Sequence, residues 1–497
     1  MRLSSSTLDT LPRDVIRPDY DRAQVKRGVV HLGIGAFHRA HQAAIFDAAL
    51  AAGDLRWGIT GVSLRSPGVR DQLVPQDGLY TMLVRGMPVR DGTDDSNERA
   101  QVIGAVLDVL VAPENPAAVI AALAAPDTHI VTLTVTEKGY KLDRATGALF
   151  TDDPDVAHDL ASLDAPLTAP GFIVAALARR RAGGLPPISI LSCDNLPDNG
   201  KLLRGAVLAM AAAHDPALAA WIAAEIAFPA TMVDRIVPAT SDADIAALRR
   251  KLGVEDQAMV KTEPFTQWVI EDHFAGERPD FAALGVQLTS RVAAWEAAKL
   301  RLLNGSHSGM AYLGALAGIE FVHEAIAKPL IRAFVEALWD EASATLDPPP
   351  GLDIAAYRAQ LLRRFTNPTL QHKLRQIAMD GSQKLPQRLL APIAERRAEN
   401  LPVDALSLAV AAWMRWQAGI ADDGSAFAVD DPLAATTAAA VRDDPRAMVE
   451  AMMGISAIFP PALAADDGLA AAIADHLATL ITKGALAALA NLARARL

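Results

Sequence analysis

The stretch EAAKLRLLNGSHSGMAYLG, Glu296 to Gly314, gathers side chains suited to moving a proton on or off an oxygen. Wound as a helix at about 100° per residue, it sets Lys299 and His307 roughly 80° apart, with Asn304 at the edge of the same polar arc. Leu300, Leu302 and Leu303 supply the packing side. A lysine on a buried helix face loses proton affinity through desolvation and becomes a usable base near neutral pH. An asparagine amide offers an N–H to a carbonyl or alkoxide oxygen. The competing reading is an amphipathic helix with a snorkelling Lys299 and a break at Asn304-Gly305. Both readings stand on these residues alone.

A second polar cluster, SCDNLPDNG from Ser192 to Gly200, ends a run that reads as a buried strand. Ligands in open parallel sheets sit at such strand ends. Either Asn195 joins Asn304 in binding the reacting oxygen, or Asp194 and Asn195 are turn and N-cap residues. In FPATMVDRIVP, Asp234 and Arg235 interrupt an apolar run. They form a structural ion pair, or Asp234 meets substrate hydroxyls.

The third cluster is VVHLGIGAFHRAHQAAIF, Val29 to Phe46. A β-branched run leads into Gly33-Ile34-Gly35 and then into a helical pattern, so backbone N–H groups and the helix dipole face a pyrophosphate. His38 holds the place of the usual third glycine, and Ala36 and Ala40 partly serve its packing role. Arg39, in the first helical turn, adds a cation near the phosphates. The segment Gly33, Ile34, Gly35, Ala36, Phe37, His38 and Arg39 is thus the expected cofactor loop. An acid normally ends the second strand and holds the adenosine ribose. Here Arg65, Ser66, Pro67 and Gly68 fill that turn, and the nearest acids are Asp54 and Asp71. Arg65 either meets a 2′-phosphate, favouring NADP over NAD, or is a solvated loop arginine.

A nicotinamide enzyme working on an alcohol needs a group to exchange the hydroxyl proton. No tyrosine is followed four places on by lysine: Tyr20, Tyr80, Tyr140, Tyr312 and Tyr357 precede Gln24, Val84, Arg144, Leu316 and Leu361. One cysteine, Cys193, and scattered histidines give no metal site and no disulfide framework. A lysine, histidine or carboxylate must do the work.

The elements that position these clusters follow from the pattern. GVVHLGI, WGITGVSL, THIVTLTVTE and PISILSCDN read as near-continuous apolar strands. Between them lie the helical patterns AHQAAIFDAALAA, PAAVIAALAA and FIVAALARRRAGG, the signature of a buried parallel sheet. DGLYTMLVRG and RAQVIGAVLDVLV read as an additional hairpin between the second and third parallel strands. Beyond Arg291 the pattern is mostly helical, broken at DPPPGLD, TNPTL, DGSQKLP and FPPAL. The expected fold is α/β: a Rossmann-like dinucleotide-binding domain over 1–285, then a mainly helical domain over 286–497.

At 497 residues the chain exceeds one comfortable core. Its net charge of −11 offers no footprint for nucleic acid or anionic lipid. Asp475, His476 and Lys483 interrupt the alanine-rich C-terminal run, which reads as amphipathic and not as a membrane span. The N-terminus has no apolar signal core, and the cytoplasm is the expected compartment. No heptad stripe marks an oligomer.

Taken together, GIGAFHRAHQA, TVTEKGY, SCDNLPDNG, FPATMVDRI, EPFTQWVIED, KLRLLNGSHS and QIAMDGSQKLPQR resemble the polyol-specific long-chain dehydrogenase/reductase family, also called the mannitol dehydrogenase family. In that family a histidine in the third-glycine place is the normal form of the loop. The resemblance implies hydride transfer between NAD(P) and a ketose-type carbonyl without metal, in an often monomeric protein. It casts Lys299 as general acid/base, Asn195 and Asn304 as oxygen-polarising amides, and His307 as a substrate-orienting group. Asp234 matches a substrate-site position, and Glu296 one that relays protons between Lys299 and solvent. Mannitol-type members tend to carry arginine where this chain has Gln376, which leans the resemblance toward fructuronate reductases (D-mannonate oxidoreductases). A uronate carboxylate needs a cation, for which Lys384, Arg388 and His372 are candidates, or these are surface or interface charges. D-Mannitol/D-fructose is the alternative, followed by D-arabinitol, D-sorbitol and tagaturonate. A silent nucleotide- or sugar-binding protein is the remote one.

Overall fold

The computed structural model describes residues 1–86, 98–143 and 147–496. The chain divides into two compact units, Met1–Ala293 and Ala294–Leu497.

In the first unit the described strands are β1 (Val29–Leu32), β2 (Ile59–Ser63), β3 (Tyr80–Arg85), β4 (Glu98–Ile103), β5 (Val106–Val111), β6 (Ile130–Leu133), β7 (Ser189–Ser192), β8 (Thr231–Asp234), β9 (Val260–Thr262), β10 (Gln267–Glu271) and β11 (Gln287–Thr289). The main sheet has the order β5-β2-β1-β6-β7, every neighbouring pair parallel. This is the dinucleotide-fold order, and it reverses between β1 and β6, where such sheets receive ligands. Alternation along the strands feeds two cores. Val30, Leu32, Val131 and Leu133 pack with the helices Pro116–Leu123, Ala169–Ala182 and Asn199–His214. Val29, Ile59, Ile130 and Leu191 face the opposite core with Ala43, Phe46 and Leu50 of the helix Gln42–Ala51. Burial on both faces is why these strands are apolar throughout.

The expected hairpin is half of what the structure shows. β3 and β4 pair antiparallel as a hairpin does, in a separate sheet of order β4-β3-β9. The apolar run then divides at Gly104, where an added Cβ would meet Pro18 Cγ at 2.7 Å and the Tyr20 hydroxyl at 2.8 Å. Beyond that turn β5 leaves the hairpin and becomes the edge strand beside β2. A third sheet, β11-β10-β8, ends at Asp234.

The second unit is helical, with no strand beyond isolated bridges among its described residues. Its core is built on the helices Gly305–Leu316, Pro329–Ser343 and Asp404–Trp416, around Phe334, Trp339 and Trp413. Glycines permit close approaches here: a Cβ at Gly309 would sit 2.7 Å from the Phe334 ring. Among the described residues no helix is long and apolar enough to cross a membrane.

Candidate active site

At the switch point the chain leaves β1 through Gly33, whose φ of 94° is open to glycine. A Cβ there would lie 2.2 Å from the Thr134 carbonyl oxygen, so the loop must pass bare against the end of β6. Thr134 Oγ1 donates to Gly33 O (2.8 Å). Gly35 differs: its Cβ would meet nothing nearer than 3.8 Å, so the space above it is open. That space is a cavity of about 460 Å³ lined by Gly33, Ile34, Gly35, Ser63, Leu64, Arg65, Thr134, Val135, Gly139, Lys141, Asp155 and Thr168, among others.

Beyond Gly35 the loop turns inward: Ala36 and Phe37 are half-buried, and His38 and Arg39 are buried. His38 is fully buried and stacks on His31 of β1, ring centroids 3.4 Å apart. His31 is itself fixed by Thr132 Oγ1 (2.7 Å) and Thr134 Oγ1 (2.9 Å). The contact that a third glycine makes by being small is made here by two flat rings in register. Burial drives both imidazoles well below their usual pKa, to about 3 for His31, so they stack uncharged. Arg39 is buried as well. Its guanidinium turns inward to the Ala258 and Gly35 carbonyls and lies over the Tyr80 ring. Arg65, by contrast, is exposed on the cavity rim with no partner among the described residues.

Lys141 and Asp155 also line the cavity, and sequence reading missed both. Lys141 is held by Asp153 (2.7 Å) and Asp155 (3.0 Å). Nothing in residue type marks them, because what places them is the loop's return to the end of β6.

Asn195 follows β7 and is exposed, while Asp234 ends β8 and is buried. Of the two alternatives for this run, the ion pair finds no support at Arg235, which is engaged elsewhere. That guanidinium bonds the carbonyls of Ala40 and Glu263.

In the second unit Lys299 begins a π-helical turn, Lys299–Asn304, which runs without a break into the helix Gly305–Leu316. π-turns inside α-helices recur at functional sites because the extra residue re-aims side chains. Lys299 is 6% exposed, and Glu296 stands three residues before it, half-buried. The break at Asn304-Gly305 that belonged to the competing reading is absent, with Gly305 at φ −62° and ψ −50°. A second π-turn, Pro386–Leu390, packs against the first, and a Cβ at Gly305 would sit 3.0 Å from Arg388 O.

Around these turns several polar groups lack protein partners among the described residues. Asn304 Oδ1, His307 Nε2 and His372 Nδ1 are buried without one. The His307 ring lies 4.6 Å from Phe365 and 5.5 Å from His372. Burial first, then the His372, Arg364 and Arg388 charges, holds it well below the usual histidine range, so it is neutral. Arg388 makes one hydrogen bond, to Ser308 Oγ (3.2 Å), and no ion pair among the described residues. Burial lowers its pKa to about 10. Lys384 donates to the Met379 carbonyl and has Asp380 at 3.8 Å, with Asp430 and Asp431 also acting on its charge. Burial and then Arg388 push it down to about 8. Gln376 is exposed. No three His, Cys, Asp or Glu side chains converge as a metal site among the described residues. The arrangement is thus a group of polar atoms and cations with few protein partners, on the same unit as a buried lysine.

Comparison with known proteins settles the ancestry. Residues 27–283 match the family description "Mannitol dehydrogenase Rossmann domain" and residues 291–481 "Mannitol dehydrogenase C-terminal domain". The chain belongs to the mannitol dehydrogenase family. It is 43% identical to the mannitol 2-dehydrogenase of Pyrenophora tritici-repentis, over 98% of this chain and 85% of that protein. It is 42% identical to the D-mannonate oxidoreductase of Escherichia coli, over 95% of this chain and 96% of that protein. The solved Pseudomonas fluorescens mannitol 2-dehydrogenase, in a ternary complex with NAD and D-mannitol, superposes with a TM-score of 0.87 at 38% identity. That match covers 99% of this chain and all of the other. Membership of the mannitol dehydrogenase family makes the chain an oxidoreductase acting on alcohol groups, on a Rossmann fold followed by a helical domain.

Proposed function

We propose that this oxidoreductase reduces a keto-uronate, D-fructuronate + NADH + H⁺ giving D-mannonate + NAD⁺, without a metal. The observation that carries the reading is Arg388, a largely buried guanidinium with a single hydroxyl for company and Lys384 as its neighbour. A buried cation without a counter-charge is costly, and a substrate carboxylate removes that cost. The cofactor reading rests on the 460 Å³ cavity above Gly35, whose bare backbone suits a pyrophosphate. Bound there, NAD supplies or accepts the hydride. Arg65 on the rim is the cation we assign to a 2′-phosphate if one is bound, so NADP is the second candidate.

Lys299 acts as general acid, giving its proton to the keto oxygen during reduction and retrieving it in the reverse direction. Asn304 donates its Nδ2–H to that oxygen as charge develops. Neutral His307 orients substrate hydroxyls, Glu296 passes the proton onward, and His372 joins Lys384 and Arg388 at the carboxylate. Asn195 and Asp234, at the carboxyl ends of β7 and β8, serve as polar donor and acceptor toward substrate. The protein works as a monomer in the cytoplasm, on a small molecule.

The alternative is D-fructose/D-mannitol, favoured by the 43% identity to a mannitol 2-dehydrogenase. Purified protein with NADH or NADPH, given D-fructuronate and D-fructose in parallel, separates the two. The proposal expects kcat/KM for fructuronate to be higher by about 10² or more, the value of a buried charge-assisted contact. A preference for fructose overturns it, and the better nucleotide shows what Arg65 does.

A further inference from the structure

Asp194 lies just past β7, beside Asn195. Its carboxylate, 9% exposed, reaches from the end of β7 to the end of β6. It accepts the N–H groups of Val135 (3.1 Å) and Thr136 (2.8 Å) and the Tyr140 hydroxyl (2.7 Å). The Tyr140 oxygen is in turn hydrogen-bonded to Ser192 Oγ, which also accepts the Asp194 N–H (3.3 Å). From the other side, Asn199 Nδ2 donates to Asp194 O (3.0 Å) and to Thr231 O (2.8 Å). The residue is therefore held by β7 and β8 while it holds the loop after β6.

What it holds is unusual. Thr136 has φ 66° and ψ 167°, a conformation that a β-branched residue rarely adopts. Such geometry persists only where surrounding contacts over-determine it. The Thr136 side chain is exposed, so its packing does not impose the turn. Thr134, Val135, Gly139 and Lys141 on the same loop line the cavity assigned to the dinucleotide.

We infer that Asp194 is a positioning residue: its hydrogen bonds to the Val135 and Thr136 amides lock the β6 loop in the left-handed turn that shapes the dinucleotide cavity. This rests on the cofactor reading given under Proposed function. Without the carboxylate, Thr136 relaxes to negative φ and the cavity wall moves.

NADH binding is measured by fluorescence titration, with melting temperature and the KM values for NADH and for the sugar substrate alongside. If the wild-type protein binds no NADH, the cofactor reading fails. If it binds, Asp194→Asn is expected to weaken NADH about tenfold or more and to raise KM for NADH while leaving KM for the sugar near its original value. Thr136→Gly in that background is expected to restore most of the affinity, because glycine holds positive φ unaided. Asp194→Asn with wild-type NADH affinity, or a double variant with no recovery, overturns the inference. Should Asp194→Asn not fold, Thr136→Pro tests the same claim at an exposed position. It fixes φ near −65° and removes the N–H, so the tenfold loss is expected again, and unchanged affinity contradicts the inference.

Discussion

The two units bury polar groups for opposite ends. Around the glycine loop of the first, side chains that look chemical are scaffolding: His38 stacks on His31, and Arg39 and Arg235 bind carbonyls. The cavity there joins bare backbone at Gly33, Gly35 and Gly139 to side chains such as Arg65, Thr134, Lys141 and Thr168. In the second unit Asn304 Oδ1, His307 Nε2 and His372 Nδ1 are buried atoms without protein partners among the described residues, with Arg388 on one hydroxyl; the first unit has such atoms too, at His38 and Gln42, but away from the lining of its cavity. Under the proposed function, the first unit's cavity takes the nucleotide, and the second unit's unpartnered polar atoms are left for the substrate.

The sharpest way to break that contrast is Lys299→Ala. Turnover should fall by about 10² to 10⁴ with NADH affinity unchanged, measured by steady-state kinetics and NADH titration. A variant with wild-type turnover removes the second unit's claim to the chemistry.

Next come the two glycines. Gly33→Ala puts a Cβ 2.2 Å from Thr134 O at φ 94°, so it should destabilise the protein by about 1–3 kcal/mol and lower its melting temperature. Gly35→Ala meets no protein atom closer than 3.8 Å. Its stability should stay within about 0.5 kcal/mol while NADH binding weakens about tenfold. If both lose stability equally, the space above Gly35 is not reserved for ligand.

The smallest effect is graded by pH. Lys384 titrates at about 8, below its ordinary 10.5. Its ammonium exists below about pH 8, so KM for a carboxylated substrate should rise about tenfold per pH unit above it, with KM for D-fructose flat. In the ligand-free protein the sign for stability is opposite. Between about 8 and 10.5 the unfolded chain binds more protons than the folded one, so this group's contribution grows more favourable as pH rises.

Much of the first unit was legible because buried parallel strands announce themselves as apolar runs, and β1, β2, β6 and β7 lie inside the segments read as strands. β5 was not, because the turn at Gly104 interrupts no hydrophobic pattern and only pairing tells a hairpin arm from a sheet edge. His38 and Arg39 misled because a polar residue beside a glycine loop reads as a ligand until its ring or guanidinium is seen to have a protein partner. The Lys299 helix was legible, but its π-turn was not, since one extra residue per turn leaves little mark on a short apolar spacing. Ser308 and Arg388 meet across 80 residues of sequence, beyond any local pattern.

The central claim is that a buried, under-paired cation in the second unit selects an anionic substrate. The most direct measurement is Arg388→Met, assayed on D-fructuronate and D-fructose with the same nucleotide. The account predicts that kcat/KM for fructuronate falls about tenfold or more, the loss of one charge-assisted bond, while that for fructose changes less than about threefold. An equal fall on both substrates would contradict it and make Arg388 a structural cation.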